Sequence, residues 1–334
     1  MRTNGLVVAI DGPSGAGKST AGRALAAQLA YTYIDTGAMY RALALKASRA
    51  GVSLDAEEAL AQLVRASSIQ LTEGGRRVLL DGYDVTADIR SREISRASSL
   101  VSVHPSVRVE MVARQRELGK EGGVVLDGRD IGTAVFPDAE VKFFLDANPG
   151  ERAQRRLGEL RAAGSDVSFD AVEQEVRERD YTDSHRAESP LTRAWDAIAL
   201  DTTRLGPEEV VERMLAVVRA REGRPVDLGR LAQAHLRSPR RYLDALRSGG
   251  LSVGLYRVAR GAEGEERPRG EELAYLALEG RGRLRMGDED FAVEPGSLFA
   301  VPARVEHGFH QVSEDLLLLV FSTPPEGSLP QAPE

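Results

Sequence analysis

The pattern of apolar and polar positions changes character about two thirds of the way along the chain. Up to residue 221, short apolar runs alternate with stretches of helical spacing. The runs at 6–10, 124–126, 141–145 and 198–200 have the length of buried parallel strands. Between them, residues 18–29, 38–50, 55–66, 105–119, 151–163, 169–181 and 207–221 read as helices. The last opens on Pro207, a residue suited to a first helical turn. A short β section at 69–71 and 77–80 brackets Gly74-Gly75, a turn signal. Such alternation predicts a parallel sheet with helices on both faces.

Beyond the linker at residues 222–225 the texture is different. A helical stretch is expected at 228–246. Seven short strands then follow, at 251–258, 273–278, 282–286, 291–293, 298–301, 307–312 and 316–321, with Gly and Pro between them. That spacing predicts a small antiparallel sandwich or barrel. The expected division is therefore 1–222, a connecting segment 223–250, a β domain 251–323 and a frayed tail 324–334.

Composition narrows the classes of function. The 334 residues allow two domains, and 42% hydrophobic with 28% charged residues is the balance of a globular protein. A net charge of -7 excludes a broadly basic nucleic-acid surface, although an acidic protein can still enclose an anion-binding cleft. The absence of cysteine excludes disulfides, thiolate metal sites and a thiol nucleophile. No apolar run approaches the roughly 18 residues of a membrane helix, and the run before Asp11 is too short for a signal peptide. A cytoplasmic protein with no membrane partner is expected.

The strongest local signal is Gly12-Pro13-Ser14-Gly15-Ala16-Gly17-Lys18-Ser19-Thr20, between an apolar strand and a helix. Glycines let the backbone turn tightly, so that successive N–H groups point at phosphate oxygens. Lys18 then reaches the β and γ phosphates, and the Ser19 hydroxyl serves Mg²⁺. This loop implies a nucleoside triphosphate and leaves the phosphoryl acceptor open.

Three further segments bear on the acceptor: Asp35-Thr36-Gly37-Ala38-Met39-Tyr40-Arg41, Asp127-Gly128-Arg129-Asp130-Ile131-Gly132-Thr133 with Phe136-Pro137-Asp138-Ala139 after it, and Arg179-Asp180 with Asp183 and Arg186. In this order, and with the loop above, they resemble the bacterial cytidylate kinases over roughly residues 4 to 221. The resemblance implies a P-loop nucleoside monophosphate kinase fold with an acceptor insertion at about 69–100 and a lid at about 150–186. It implies transfer of a phosphoryl group from ATP to CMP or dCMP with Mg²⁺. Lys18, Arg129 and Arg186 are the implied catalytic residues. The implied donor site is the loop with Arg155 and Arg156, which lie with Arg152 on one helix that could equally be a solvated face. The implied acceptor site is Thr36, Arg41, Ser99, Arg108, Arg129, Asp130, Arg179, Asp183 and Arg186. Asp127, directly after a strand, is placed like a Walker-B aspartate and would join Ser19 near Mg²⁺. Clustered arginines suit the meeting of two polyanions. No histidine is needed as a base, because the acceptor oxygen is already ionised.

Residues 267–320 resemble the cupins, small antiparallel barrels. The places where metal-binding cupins carry their first histidines hold Glu266, Arg267, Pro268 and Arg269. Only His307 and Glu272 remain of the ligand set, Arg304 replaces the usual glycine, and His310 is a possible substitute. A tightly held metal is therefore not expected; an interface making a homodimer is. Two other functions fit parts of the sequence: a P-loop kinase of another small acceptor, and a regulatory sensor reading a metabolite through the β domain.

Overall fold

The computed structural model describes residues 2–162, 164–236, 241–247, 250–262, 264–266 and 270–324. The chain divides into two compact units, residues 1–222 and 223–334.

The first unit opens with strand β1 (Val7–Asp11), helix α1 (Lys18–Leu29), β2 (Thr32–Asp35), α2 (Thr36–Arg49) and α3 (Glu57–Arg65). A three-stranded antiparallel sheet follows, built from β3 (Ile69–Thr72), β4 (Arg77–Leu80) and β5 (Tyr83–Asp84), and then α4 (Arg92–Val101) and α5 (Pro105–Gly119). The remainder is β6 (Val124–Gly128), β7 (Val141–Asp146), α6 (Pro149–Ala162), α7 (Phe169–His185), β8 (Ile198–Asp201) and α8 (Pro207–Arg221). Five of these strands form one sheet in the order β2-β6-β1-β7-β8, with every pairing parallel.

Helices cover both faces. On one, Leu25 of α1 and Met214 of α8 pack against Val8, Ile10 and Phe143. On the other, Val7, Ala9 and Leu126 pack with Ile131 and Phe136. Leu25 is fully buried, so its truncation to alanine should cost about 2–5 kcal/mol. A separate core from α2 to α5 unites Met39, Leu43, Leu60 and Met111 with Val78 and Leu80 of the small sheet. The two cores leave the C-terminal ends of the parallel strands between them, where such sheets build their sites. Asp11, Asp35 and Asp127 stand there; Asp35 lies opposite Asp127, and Asp11 opposite Gly128.

Strands β2 and β5 and helix α4 of this unit lie outside the runs read from the sequence. Strand β2 is only four residues long, and its central Tyr33 and Ile34 are buried. Helix α4 is capped by Ser91, whose side chain accepts from the Ile94 amide at 3.2 Å. Its polar, serine-rich sequence carries little apolar signal.

The second unit contains α9 (Leu228–Leu236), β9 (Tyr242–Arg247), β10 (Ser252–Val258), β11 (Gly264–Glu266), β12 (Glu272–Met286), β13 (Glu289–Val293), β14 (Leu298–Val301) and β15 (His307–Thr323). These strands make one antiparallel sheet ordered β13-β12-β15-β10-β9, with β11 on β15 and β14 on β12. Tyr275, Leu284, Phe309, Leu316 and Leu318 meet in its core.

The expected helix at 228–246 is corrected. It ends at Leu236, and β9 pairs antiparallel with β10 while Leu243 and Ala245, two apart, are both buried. Four of the seven expected strands also merge into two. Strands 273–278 and 282–286 are one bent strand, β12, whose register with β15 shifts between Ala277 and Arg283; 307–312 and 316–321 are likewise one strand, β15. Bulges of this kind bend a strand without ending it. Arg267, Pro268 and Arg269, the side chain of Glu266, residue 163 and the tail from 325 lie outside the described residues.

Candidate active site

Residues 12–17 link β1 to α1, and the backbone there is possible only for glycine at its first position. Gly12 has φ +145°, and a Cβ on it would fall 1.9 Å from the Leu145 carbonyl oxygen. Gly17 ends the loop in the left-handed region as the N-cap of α1. The first amides of that helix face the cleft with the positive end of its dipole. Gly12, Pro13 and Ala16 lie beneath this surface, whereas Ser14, Gly15, Gly17, Lys18, Ser19 and Thr20 line a cavity of about 570 Å³.

Lys18 is buried and its ammonium donates to the Pro13 carbonyl at 2.6 Å. Burial first, and then the nearby Arg129 guanidinium, hold its pKa well below the ordinary lysine value. The Ser19 hydroxyl donates to Asp127 Oδ2 at 2.6 Å, and the Tyr33 hydroxyl donates to Asp127 Oδ1 at 3.0 Å. Burial, with the charge of Asp35 adding to it, raises the Asp127 pKa. A hydroxyl and two neighbouring carboxylates facing one cavity are hard oxygen donors short of a cation. That donor set fits Mg²⁺. Among the described residues no three His, Asp or Glu side chains converge as a complete metal cage. Two or three protein oxygens completed by substrate phosphates is the usual magnesium arrangement.

The acceptor-side residues converge on the same cavity. Arg129 Nε donates to Asp183 Oδ2 at 2.7 Å, and Arg179 Nε stands 3.9 Å from that carboxylate. Burial works against the charge of Asp183, but Arg129 and Arg179 outweigh it and hold the carboxyl below its usual range. Burial and the adjacent Arg129 lower the Arg179 pKa to about 10. Asp130 is engaged on both oxygens: Arg108 pairs with Oδ2, and Arg186 Nη2 lies 3.3 Å from Oδ1. Thr36 donates to the Asp127 carbonyl at 2.6 Å, and Arg41 pairs with Asp35 at 3.1 Å. Ser99, on α4, lines the same space. Arg108 stands behind the lining and meets it at Asp130, at the Tyr40 hydroxyl and at the Ser102 carbonyl.

The α6 arginines part company. Arg156 lines the cavity and pairs with Glu159 at 2.8 Å. Arg155 is turned to Thr202, donating to its carbonyl at 2.7 Å and its hydroxyl oxygen at 3.1 Å, and is not part of the lining. Arg152 is buried and donates to the Ser14 carbonyl at 3.0 Å while pairing with Asp180 at 2.6 Å. It braces the phosphate loop from behind, so the solvated-face reading fails for it.

Beneath the cleft, Asp11 accepts the Ile131 and Gly132 amides at 2.8 and 2.7 Å, fixing the turn that follows Asp130. Arg23, Arg76 and Arg90 also line the cavity and were not singled out by their sequence positions. Arg76 has a faint signal, since it follows the Gly74-Gly75 turn. Histidines stay outside: His104 bonds the Leu54 carbonyl, and His185 stacks on Tyr181.

In the second unit, His307 is buried with its Nε2 2.9 Å from the Tyr275 hydroxyl and its Nδ1 3.0 Å from the Val305 carbonyl. His310 instead faces Asp290 at 2.8 Å.

A family model described as cytidylate kinase matches residues 8–220, and one described as a cupin domain matches residues 254–322. A cytidylate kinase of Geobacillus sp. (strain WCH70) is 52% identical over 225 residues, covering 67% of this chain and 100% of that protein. One of Syntrophotalea carbinolica is 53% identical over 219 residues, covering 65% and 93%. Among solved structures, a cupin superfamily protein of Desulfitobacterium hafniense is 19% identical and covers 25% of this chain and 74% of its own, with a TM-score of 0.23. No described helix is long and apolar enough to cross a membrane. With the phosphate loop, the arginine-lined cleft and half of the aligned residues shared with these relatives, this chain belongs to the cytidylate kinase family and carries a cupin domain at its C-terminal end.

Proposed function

We propose that this protein transfers the γ-phosphoryl group of ATP to CMP or dCMP, giving ADP and CDP or dCDP. The observation that carries the reading is the convergence of the phosphate loop and the Asp130-centred arginine cluster on one cavity. An ionised oxygen of the acceptor phosphate bonds to the γ phosphorus. The bond from that phosphorus to the β–γ bridging oxygen breaks, and ADP leaves with the electron pair. No proton moves, so no base is required.

The loop amides and Lys18 hold the donor phosphates, and Lys18 stays close as charge shifts to the bridging oxygen. Arg129, Arg41 and Arg186 neutralise the acceptor phosphate and bring it in line with the donor. Thr36, Arg179 and Asp183 contact the sugar, and Ser99 and Asp130 read the base, with Arg108 holding the Asp130 carboxylate from behind. Two lone-pair sites per oxygen leave Asp130 able to accept from a cytosine amino group while paired with two guanidiniums. Arg156 closes over the donor. Ser19 and Asp127 would hold Mg²⁺, which supplies charge neutralisation across the β and γ phosphates. A cytoplasmic location and a homodimer made through the cupin domain belong to the same reading.

ADP release measured with CMP, dCMP, UMP, AMP and GMP in turn tests it. CMP and dCMP should be turned over much faster than the purine nucleotides; equal turnover of AMP would overturn the base assignment.

A further inference from the structure

Nine cationic side chains line the cleft against five carboxylates. Five of these cations have a carboxylate partner: Arg41 has Asp35, Arg129 and Arg179 share Asp183, Arg156 has Glu159 and Arg186 has Asp130. Lys18, Arg23, Arg76 and Arg90 have none within ion-pair distance among the described residues, and Lys18 donates instead to the Pro13 carbonyl. The Arg23 Nε is buried without an acceptor, and its guanidinium lies over the Tyr33 ring, 5.1 Å from the centroid.

Tyr33 also seats the turn that carries Arg76. Gly75 has φ +77°, and a Cβ on it would fall 2.6 Å from Tyr33 Cδ1. The turn between β3 and β4 therefore rests directly on the ring, which only glycine permits. One aromatic side chain thus touches both the Arg23 guanidinium of α1 and the glycine that precedes Arg76, an exposed arginine about fifty residues later, and both arginines line the cleft. A guanidinium donor withdrawn from water and left without an acceptor is costly unless a ligand supplies one.

We propose that Arg23 and Arg76 form a phosphoryl-binding pair on the β2 side of the cleft, apart from the phosphate loop and from the acceptor residues named above. The pair suits a phosphate or pyrophosphate group, which arginine grips with two parallel donors. The group comes either from the acceptor nucleotide or from a separate polyphosphate anion. This inference rests on the phosphoryl-transfer reading only for the first source.

The test is calorimetric binding of CMP and of inorganic pyrophosphate to the full-length protein and to Arg23→Gln, Arg76→Gln and Gly75→Ala, with thermal unfolding as the check on folding. Weakening of CMP binding by about tenfold in all three variants identifies the acceptor as the source. Weakening of pyrophosphate binding by about tenfold, with CMP binding unchanged, identifies a separate anion. Folded variants that bind both ligands as the unaltered protein does would overturn the pair. Because binding is read without turnover, a protein inactive on CMP would sink the proposed reaction while leaving this result interpretable.

Discussion

Ser19 Oγ and Asp127 Oδ2 stand 2.6 Å apart, although 108 residues separate them in the chain. The contact joins the first turn of α1 to the end of β6 and places a hydroxyl and a carboxylate side by side above the parallel sheet. Lys18, the neighbouring residue, is held in the same wall by burial on the helix terminus. Lys18→Ala should lower kcat by about 10²-fold or more, because a donor aimed at developing charge is lost. Steady-state kinetics check this, and circular dichroism confirms that the variant is folded. Near-normal turnover would rule out the phosphate-loop chemistry.

Arg129 and Asp183 form a pair in which both side chains are largely buried, so Arg129 has a structural role besides its proposed catalytic one. Arg129→Ala should reduce turnover and also destabilise by about 2–4 kcal/mol, since the buried Asp183 carboxylate loses its hydrogen-bonded partner and keeps only Arg179 and the charge of Arg186 nearby. Adding Asp183→Asn should restore most of the stability and none of the activity. Urea denaturation beside kinetics separates the two effects; recovery of both together would mean that Arg129 acts only through folding.

Asp11 is the group whose titration should be visible in stability. Burial raises its pKa to about 6, against the pull of the Gly132 and Ile131 amides. The folded protein therefore holds this proton more tightly than the unfolded chain. The associated stability is present below about pH 4, and about 3 kcal/mol is lost as pH rises from about 4 to about 6. Asp11→Asn should flatten that part of the pH profile relative to the unaltered protein. Equal slopes for the two proteins in urea titrations across this window would contradict the expectation.

The boundary between the units offers a test of separability. Tyr31 accepts the Leu6 amide at 2.9 Å and donates its hydroxyl to Glu222, the residue capping α8. A fragment of residues 1–224 keeps this clasp and should fold and phosphorylate CMP. A fragment ending at residue 220 loses it and should melt several degrees lower. Thermal unfolding and the kinase assay decide; an inactive 1–224 fragment would show that the kinase unit depends on the cupin domain.

In the cupin domain both ring nitrogens of His307 are occupied, by Tyr275 and by the Val305 carbonyl. Freeing either for a metal costs a buried hydrogen bond. Elemental analysis of the full-length protein after dialysis against a chelator should find no stoichiometric Mn, Fe, Ni or Zn. Retention of any of them would reverse this conclusion.

The sequence by itself determined the features held in a few consecutive residues. The phosphate loop is legible because backbone sterics confine its first turn to glycine, and α1 follows at once. The parallel strands at β1, β6 and β7 are legible because a strand covered on both faces must be apolar throughout. The motif segments also carried the acceptor cluster, since Arg129, Asp130, Arg179, Asp183 and Arg186 lie on two short stretches. Tertiary structure decided what depends on contacts between distant segments. It turned Arg155 to Thr202 and left Arg156 in the cleft, a choice that helical spacing alone does not make. It converted residues 242–246 from an expected helix to a strand, because β10 supplies an antiparallel partner that no local propensity records. It brought Arg23 and Arg76 into one cleft, with the Tyr33 ring against both the Arg23 guanidinium and the hairpin turn at Gly75. Short-range sterics are written in neighbouring residues; pairing, burial and charge compensation are fixed only once the chain has brought remote residues within a few ångströms.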